Sequence, residues 1–195
     1  ISGTSEISTN MQKNIELMIS SKNINGKKIK VILGSRTAAE GLDFKRIRQV
    51  HILEPWYHLN RMEQIIGRGI RFCSHEGLKP EERNVTVFLH VANIEDKITL
   101  DINIYKKAEH KAKDIGKIEK ILKENAFDCF INKDINYIPP EKVEKKDMKP
   151  SRRNFDIIRN FEVHDKKNTK ICSYQACEYD CNLNQEYNTG SSEDN

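Results

Sequence analysis

Three short apolar runs, at 30–34, 49–54 and 85–91, with a helix-spaced segment at 60–72 between the last two, most constrain what this chain can fold into. Short apolar runs bounded by glycine or polar residues suit buried parallel strands. Strands that alternate with helices make an α/β fold. In such folds the functional loops gather at the carboxyl ends of the strands. That rule directs attention to Ser35, Gly41 and Asp43 after the first run, and to Glu54-Pro55-Trp56 after the second.

The helical segment carries Gln64-Ile-Ile-Gly-Arg-Gly-Ile-Arg71. A continuous helix would set Arg68 and Arg71, three apart, on one face. Arginine keeps its charge and grips phosphate oxygens as a fork, so a paired-arginine face suits a triphosphate. Gly67 and Gly69 flank Arg68. Glycine inside a helix costs about 1 kcal/mol relative to alanine, so two of them imply close packing or the approach of a ligand. The competing reading is a solvated basic helix.

Residues 28–44 read KIKVILGSRTAAEGLDF: an apolar run, small polar residues, then Gly41-Leu42-Asp43. Followed by the arginine helix, this resembles the second RecA-like domain of superfamily 2 helicases and translocases. Residues 35–43, SRTAAEGLD, look like motif V of that superfamily, and residues 64–71 match its motif VI pattern QxxGRxxR. The two occur in the family's order, about twenty residues apart, with a strand between them. The stretch 54–75, EPWYHLNRMEQIIGRGIRFCSH, is similar to the chromatin-remodelling branch. It is more similar to helicases and early-transcription ATPases of large cytoplasmic DNA viruses. In those, a Ser-His pair, a stretch like RNVTVFLHV (83–91) and one like ILKENAFDCFIN (121–132) follow.

The resemblance implies an ATP site in the cleft between two RecA-like domains. Arg68 and Arg71 would be arginine fingers that stabilise charge on the transferring phosphoryl group. Gln64 would bond near the γ-phosphate or couple the domains. Asp43 would accept from ribose hydroxyls or orient an arginine, and Gly41 and Gly67 would admit the nucleotide. Ser35 stands where the family has a threonine on the nucleic-acid backbone, and Thr37 joins it as an expected nucleic-acid contact; such contacts position a strand without reading it. Gly26-Lys27 is not a phosphate loop, because the first glycine and the Ser or Thr of GxxxxGK[ST] are lacking. No carboxylate pair for Mg²⁺ is recognisable either. The expectation is therefore the C-terminal part of a nucleic-acid-dependent ATPase, inactive alone, whose missing N-terminal RecA-like domain completes the ATP and Mg²⁺ site. A chain that starts at Ile1 and not Met fits a fragment. Expected partners are nucleic acid, DNA favoured over RNA, and RNA polymerase or other transcription factors. The alternative is a non-enzymatic module that binds nucleic acid or polymerase. Gln64, Arg68, Arg71 and Asp43 together favour the motor, and Glu54-Pro55-Trp56 favours translocation on duplex DNA.

Several residues carry two readings. Trp56 and Tyr57 could stack on a base or sugar, or pack under their loop, which is favoured. Lys45, Arg46 and Arg48 either attract nucleic acid or simply face solvent. Residues 9–20 have helical spacing, with Met11, Ile15, Met18 and Ile19 as the apolar positions and Thr9 or Asn10 as N-cap. Residues 94–132 read as one long amphipathic helix with a stripe of Ile102, Tyr105, Ala108, Ala112, Ile115, Ile118 and Leu122. Its lysines, among them Lys106, Lys113, Lys120 and Lys123, form a solvated face or a phosphate-tracking one.

The expected layout is an N-terminally truncated RecA-like domain at 1–93, a helical extension at 94–132, and a linker with a Cys-containing, partly disordered tail at 133–195. In fold class this is α/β: a partial RecA-like parallel sheet, a long helix and a small cysteine tail. Pro139-Pro140 and Pro150 mark the linker. Phe155, Ile157, Ile158, Phe161 and Val163 would add a strand or cover an edge, and the end from about residue 182 is polar and acidic. Cys172, Cys177 and Cys181 lie within ten residues. Free thiols are expected. Alternatively the three thiolates hold Zn²⁺, with His164 or Cys129 as fourth ligand. The net charge of +4 is compatible with nucleic acid without requiring it. No signal peptide and no apolar run of membrane-spanning length is recognised. The expected location is intracellular: host cytoplasm, or the virion for a viral protein.

Overall fold

The computed structural model describes residues 10–35, 44–139, 141, 143–151 and 156–182. Thr37, Gly41 and Asp43 lie outside the described residues, as do residues 1–4, Thr9, Pro140 and Phe155, and so does the side chain of Met11. The chain divides into two compact units, 1–109 with 145–162, and 110–144 with 163–195.

The first unit is built on strand β1 (Gln49–Ile52) and strand β2 (Thr86–Leu89). They run parallel, in register from Gln49 opposite Thr86 to Ile52 opposite Leu89. Helix α1 (Met11–Ile19) precedes them and helix α2 (Leu59–Gly69) connects them, so the expected strand–helix–strand order holds. Parallel neighbours need such a crossover, since a tight turn cannot join them. Helix α2 turns Met62 and Gly69 into the interior, with Ile65 and Ile66 half-buried beside them. Gly69 is where the helix meets the sheet, because an added Cβ would sit 3.0 Å from Val50 Cγ2 and 3.2 Å from Ile47 Cγ2.

Two expectations fail here. The run Val31–Leu33 forms no strand, and Val31 and Leu33 are 71% and 77% exposed. An apolar run becomes a strand only in a ladder, and no ladder among the described residues includes it. What precedes it is a turn organised by the buried Asn23, whose amide donates to the Ile29 carbonyl and accepts the Lys28 and Ile29 N–H groups. Helix α2 also stops at Gly69, not at residue 72, and Ile70 leaves helical geometry at φ −120° and ψ 74°. Arg71 therefore stands in the following loop, so a shared helical face does not relate it to Arg68.

Helix α1 buries Met18. Asn10 precedes it at φ 62° and its side chain makes no capping bond. Strands β3 (Glu144–Met148) and β4 (Ile158–Val163) pair in a separate two-stranded sheet. The apolar 157–163 stretch thus becomes a strand, but its partner is β3 and not the β1–β2 pair.

Helix α3 (Leu100–Glu124) and helix α4 (Cys129–Asn136) replace the single helix expected over 94–132. The buried stripe of α3 runs through Ile104, Ala108, Ala112 and Gly116, while Ile115, Ile118 and Leu122 are 49%, 61% and 65% exposed. In the second unit the reason is close approach. A Cβ on Gly116 would collide with the carbonyl of the buried Ser173, so the tail lies directly against the helix backbone there. Gln175 Nε2 donates to the Lys113 carbonyl at 2.9 Å, and Lys123 Nζ to Ser173 Oγ at 2.9 Å.

The tail cysteines are neither free nor metal-bound. Cys172 pairs with Cys177, and Cys181 pairs with Cys129 of α4. The fold brings their Cα atoms to 4.5 and 5.8 Å, within disulfide reach. That corrects both the free-thiol and the Zn²⁺ expectation for Cys172, Cys177 and Cys181. Among the described residues no group of three or more His, Cys, Asp or Glu could hold a metal ion. Cys73 is the free, exposed cysteine among them. None of the described helices is long and apolar enough to cross a membrane.

Candidate nucleotide and nucleic-acid interface

Three of the candidate residues, Gln64, Gly67 and Arg68, lie in the second half of α2. Within the helix, positions 64, 67 and 68 share the side opposite Met62 and Gly69, as a period of 3.6 residues requires. Gln64 is exposed, and Gly67 and Arg68 are half-buried. The two glycines part company in their surroundings. A Cβ on Gly67 would meet nothing within 4 Å, so that position opens on space, whereas Gly69 is packed. Arg71 is exposed and lies two residues past the helix end. Ser35 is exposed too, and Thr37, Gly41 and Asp43 are outside the described residues, so the geometry joins Gln64, Gly67 and Arg68 directly and Arg71 through its loop.

That loop is tied down. The Arg71 N–H donates to Ser74 Oγ at 3.2 Å, and the Ser74 N–H returns a bond to the Arg71 carbonyl at 3.0 Å. Ser74 Oγ lies 2.9 Å from His75 Nδ1, and His75 Nε2 lies 2.6 Å from the Ile47 carbonyl. The Arg46 N–H adds a bond to the Ser74 carbonyl at 2.8 Å. Ser74 is buried. The letters Ser-His were visible after the arginine helix, but the sequence assigned them no bond.

Two of the basic residues after the motif V segment, Arg46 and Arg48, brace neighbouring backbone, while Lys45 is exposed. Arg46 Nη2 donates to the Ser20 carbonyl at 2.8 Å and to the Ile19 carbonyl, which satisfies the carboxyl end of α1. Arg48 Nε donates to the Asn84 carbonyl at 3.1 Å and its Nη2 to the Lys149 carbonyl at 2.6 Å. Burial lowers the Arg48 pKa and Glu82 partly offsets this, a shift that leaves the guanidinium charged.

At the carboxyl end of β1, Trp56 and Tyr57 form an edge-to-face pair with centroids 6.1 Å apart. The Arg61 guanidinium stands 4.0 Å from the Trp56 ring centroid, a cation–π contact that sequence reading missed. Trp56 is 41% and Tyr57 51% exposed, so they are not packed under a loop as favoured. On the sheet itself His51 stacks on Phe88 at 4.5 Å, and its Nδ1 lies 3.0 Å from His90 Nε2.

Residues 4–73 match the helicase conserved C-terminal domain. The chain is 35% identical over 171 residues to a protein of Acanthamoeba polyphaga mimivirus that bears the name of an ATP-dependent RNA helicase; the match covers 85% of this chain and 14% of that protein. A protein of Invertebrate iridescent virus 3 that bears the name of a helicase is 34% identical over 185 residues, covering 91% of this chain and 16% of the relative. A termination factor NPH-I homolog of African swine fever virus is 37% identical over 129 residues, 60% of this chain and 18% of the relative. The chain thus spans 14–18% of the length of these curated relatives. No solved structure matches.

Proposed function

We propose, from the match of residues 4–73 to the helicase conserved C-terminal domain and from the similarity to viral proteins named as helicases, that this chain is the arginine-finger half of a nucleic-acid-dependent ATPase, a helicase or DNA translocase serving viral transcription or replication. The observation that carries the reading is the outward face of α2, where Gln64 and Arg68 flank the open position at Gly67. The void beside Arg68 and the forked, permanently charged donors fit a triphosphate edge. ATP and Mg²⁺ supply the phosphoryl group and the metal charge that clamps it; this sequence holds no GxxxxGK[ST] loop, so a first RecA-like domain contributes those parts.

In this reading Arg68 and Arg71 meet charge developing on the γ-phosphate, and Gln64 bonds beside it. Gly41 and Asp43 complete the nucleotide side, with Ser35 and Thr37 on the nucleic-acid backbone. Relatives bear the names of RNA helicases and of a termination factor, so the nucleic acid is DNA or RNA, and an RNA polymerase is the expected protein partner.

The test measures ATP hydrolysis by the full-length protein with no nucleic acid, single-stranded DNA, duplex DNA and RNA. Its companion carries Arg68→Ala with Arg71→Ala. Stimulation by one polymer, abolished in the double variant at unchanged nucleotide affinity, supports the reading. Nucleic-acid binding with no turnover under any condition overturns it in favour of a binding module.

A further inference from the structure

Helix α2 ends before Arg71, so something other than the helix must fix the backbone at that arginine. The bonds around Ser74 have one consistent polarity. A carbonyl only accepts, so His75 Nε2 carries the hydrogen that goes to the Ile47 oxygen. In the neutral ring Nδ1 is then an acceptor and takes the Ser74 hydroxyl hydrogen, which leaves Ser74 Oγ to accept from the Arg71 N–H. Every donor in the relay donates and every acceptor accepts.

The far end of the relay matters most. Ile47 is followed by β1 and lies four residues beyond Asp43 in sequence. It also packs against Gly69 at the foot of α2. The neighbouring Arg46 N–H meets the Ser74 carbonyl and its guanidinium caps α1. The relay therefore locks the loop that bears Arg71 to the segment that follows the motif V stretch, through one buried serine.

We propose that Ser74 and His75 are positioning residues that hold Arg71 in its productive place by bracing its backbone to Ile47. This inference rests on the arginine-finger reading given above. A buried hydroxyl that accepts one bond and donates another cannot be replaced by a methyl without removing both the Arg71 N–H bond and the His75 Nδ1 bond. A displaced arginine loses transition-state contact more than ground-state binding, so the loss falls on kcat.

The experiment is a double-mutant cycle on nucleic-acid-stimulated ATP hydrolysis by the full-length protein, with Ser74→Ala, Arg71→Ala and the pair, and with Ser74→Thr and His75→Gln as further variants. The expected result is a ten- to hundredfold fall in kcat for Ser74→Ala, with nucleotide Kd within about twofold. Ser74→Thr, which keeps the hydroxyl, restores most of the rate. His75→Gln, which keeps a donor for Ile47 but not the ring geometry, falls between. Ser74→Ala then costs nothing further in the Arg71→Ala background, because the serine acts through that arginine. If Arg71→Ala slows turnover while Ser74→Ala does not, or if Ser74→Ala costs equally in both backgrounds, the positioning role is overturned and the finger reading survives. If Arg71→Ala leaves turnover unchanged, the finger role of Arg71 falls and takes the inference with it, while Arg68 is still tested by the double variant above. Thermal unfolding of Ser74→Ala and His75→Gln checks folding, and a rate loss in both that tracks lost folded protein also overturns the inference.

Discussion

Replacing each motif VI glycine by alanine separates packing from ligand approach. At Gly69 the new methyl would lie 3.0 Å from Val50 Cγ2 and 3.2 Å from Ile47 Cγ2, inside the optimum of roughly 3.5–4.0 Å for carbon pairs. Both neighbours are β-branched and stiff, so relief requires α2 to lift from the sheet, and overpacking of this kind costs about 1–3 kcal/mol. The gain in helix propensity is at most about 1 kcal/mol, and less at the last helical residue. At Gly67 the methyl meets nothing, so only the propensity gain remains. The two variants therefore differ from each other by about 1–3 kcal/mol, with Gly69→Ala the less stable, which for a unit of this size is roughly 4–12 °C in Tm. Thermal unfolding of the full-length protein reads the first half of the argument. The ATPase assay reads the second, with Gly67→Ala expected to raise KM for ATP while the fold is intact. Equal destabilisation by the two substitutions would refute the packing distinction. A Gly67→Ala protein that is stable and has the parent KM and kcat would show that no ligand approaches there.

Arg46→Ala should destabilise the first unit by about 1–3 kcal/mol, because the carbonyls of Ile19 and Ser20 lose a charged donor; unchanged stability with a shallower salt dependence of nucleic-acid binding would instead make Arg46 a phosphate contact. Cys181→Ser should cost the second unit more than Cys177→Ser, since the Cys129–Cys181 bridge closes 52 residues and the other only 5, roughly 4 against 2 kcal/mol of loop entropy. Chemical denaturation of the two variants under oxidising conditions measures this, and equal midpoints would contradict it. Asp180 should titrate below its ordinary 3.8, because the hydrogen bond and charge of Lys133 favour the carboxylate. A depressed folded pKa gives a contribution that is full above the unfolded value and lost as pH falls through the folded one, so the tail-to-α4 ion pair opens only in strong acid. An NMR titration in which Lys133→Met does not move the Asp180 midpoint upward would refute that pairing.

What the sequence could and could not reveal follows from which forces are local. The β1–α2–β2 order was legible because periodicity and turn residues act over a few positions. The run Val31–Leu33 misled because strand formation depends on a neighbour that composition does not name. Along α3 the expected stripe positions Ala108 and Ala112 are buried, but Ile115 and Leu122 are exposed, and Ile104 and Gly116, outside the expected stripe, are buried instead. A helix meeting another backbone closely favours its smallest residues there, so the buried stripe followed Gly116 and not the largest apolar groups. The cysteine pairing was closed to sequence reading for a related reason, since only the docking of the tail brings Cys181 to α4.

The candidate site shows the same division more sharply. That Gln64, Gly67 and Arg68 would share one side of a helix was readable because their relation is one turn, set by local geometry alone. Arg71 was recognisable as a residue but misplaced as geometry, because Gly69 ends α2 against Ile47 and Val50. Once the helix ends, the arginine's position depends on a loop, and the loop depends on a bond from His75 to a carbonyl 28 residues earlier in the chain. The loop that bears Arg71 is thus bonded to the segment around Ile47 as well as to its own helix. A substitution at Ile47 that keeps its carbonyl but shrinks its side chain should loosen Gly69 without breaking the His75 bond. Ile47→Val is expected to lower stability by about 1 kcal/mol with kcat nearly unchanged, and a rate loss as large as that of Ser74→Ala would mean that packing, and not the Ser74–His75 relay, holds Arg71.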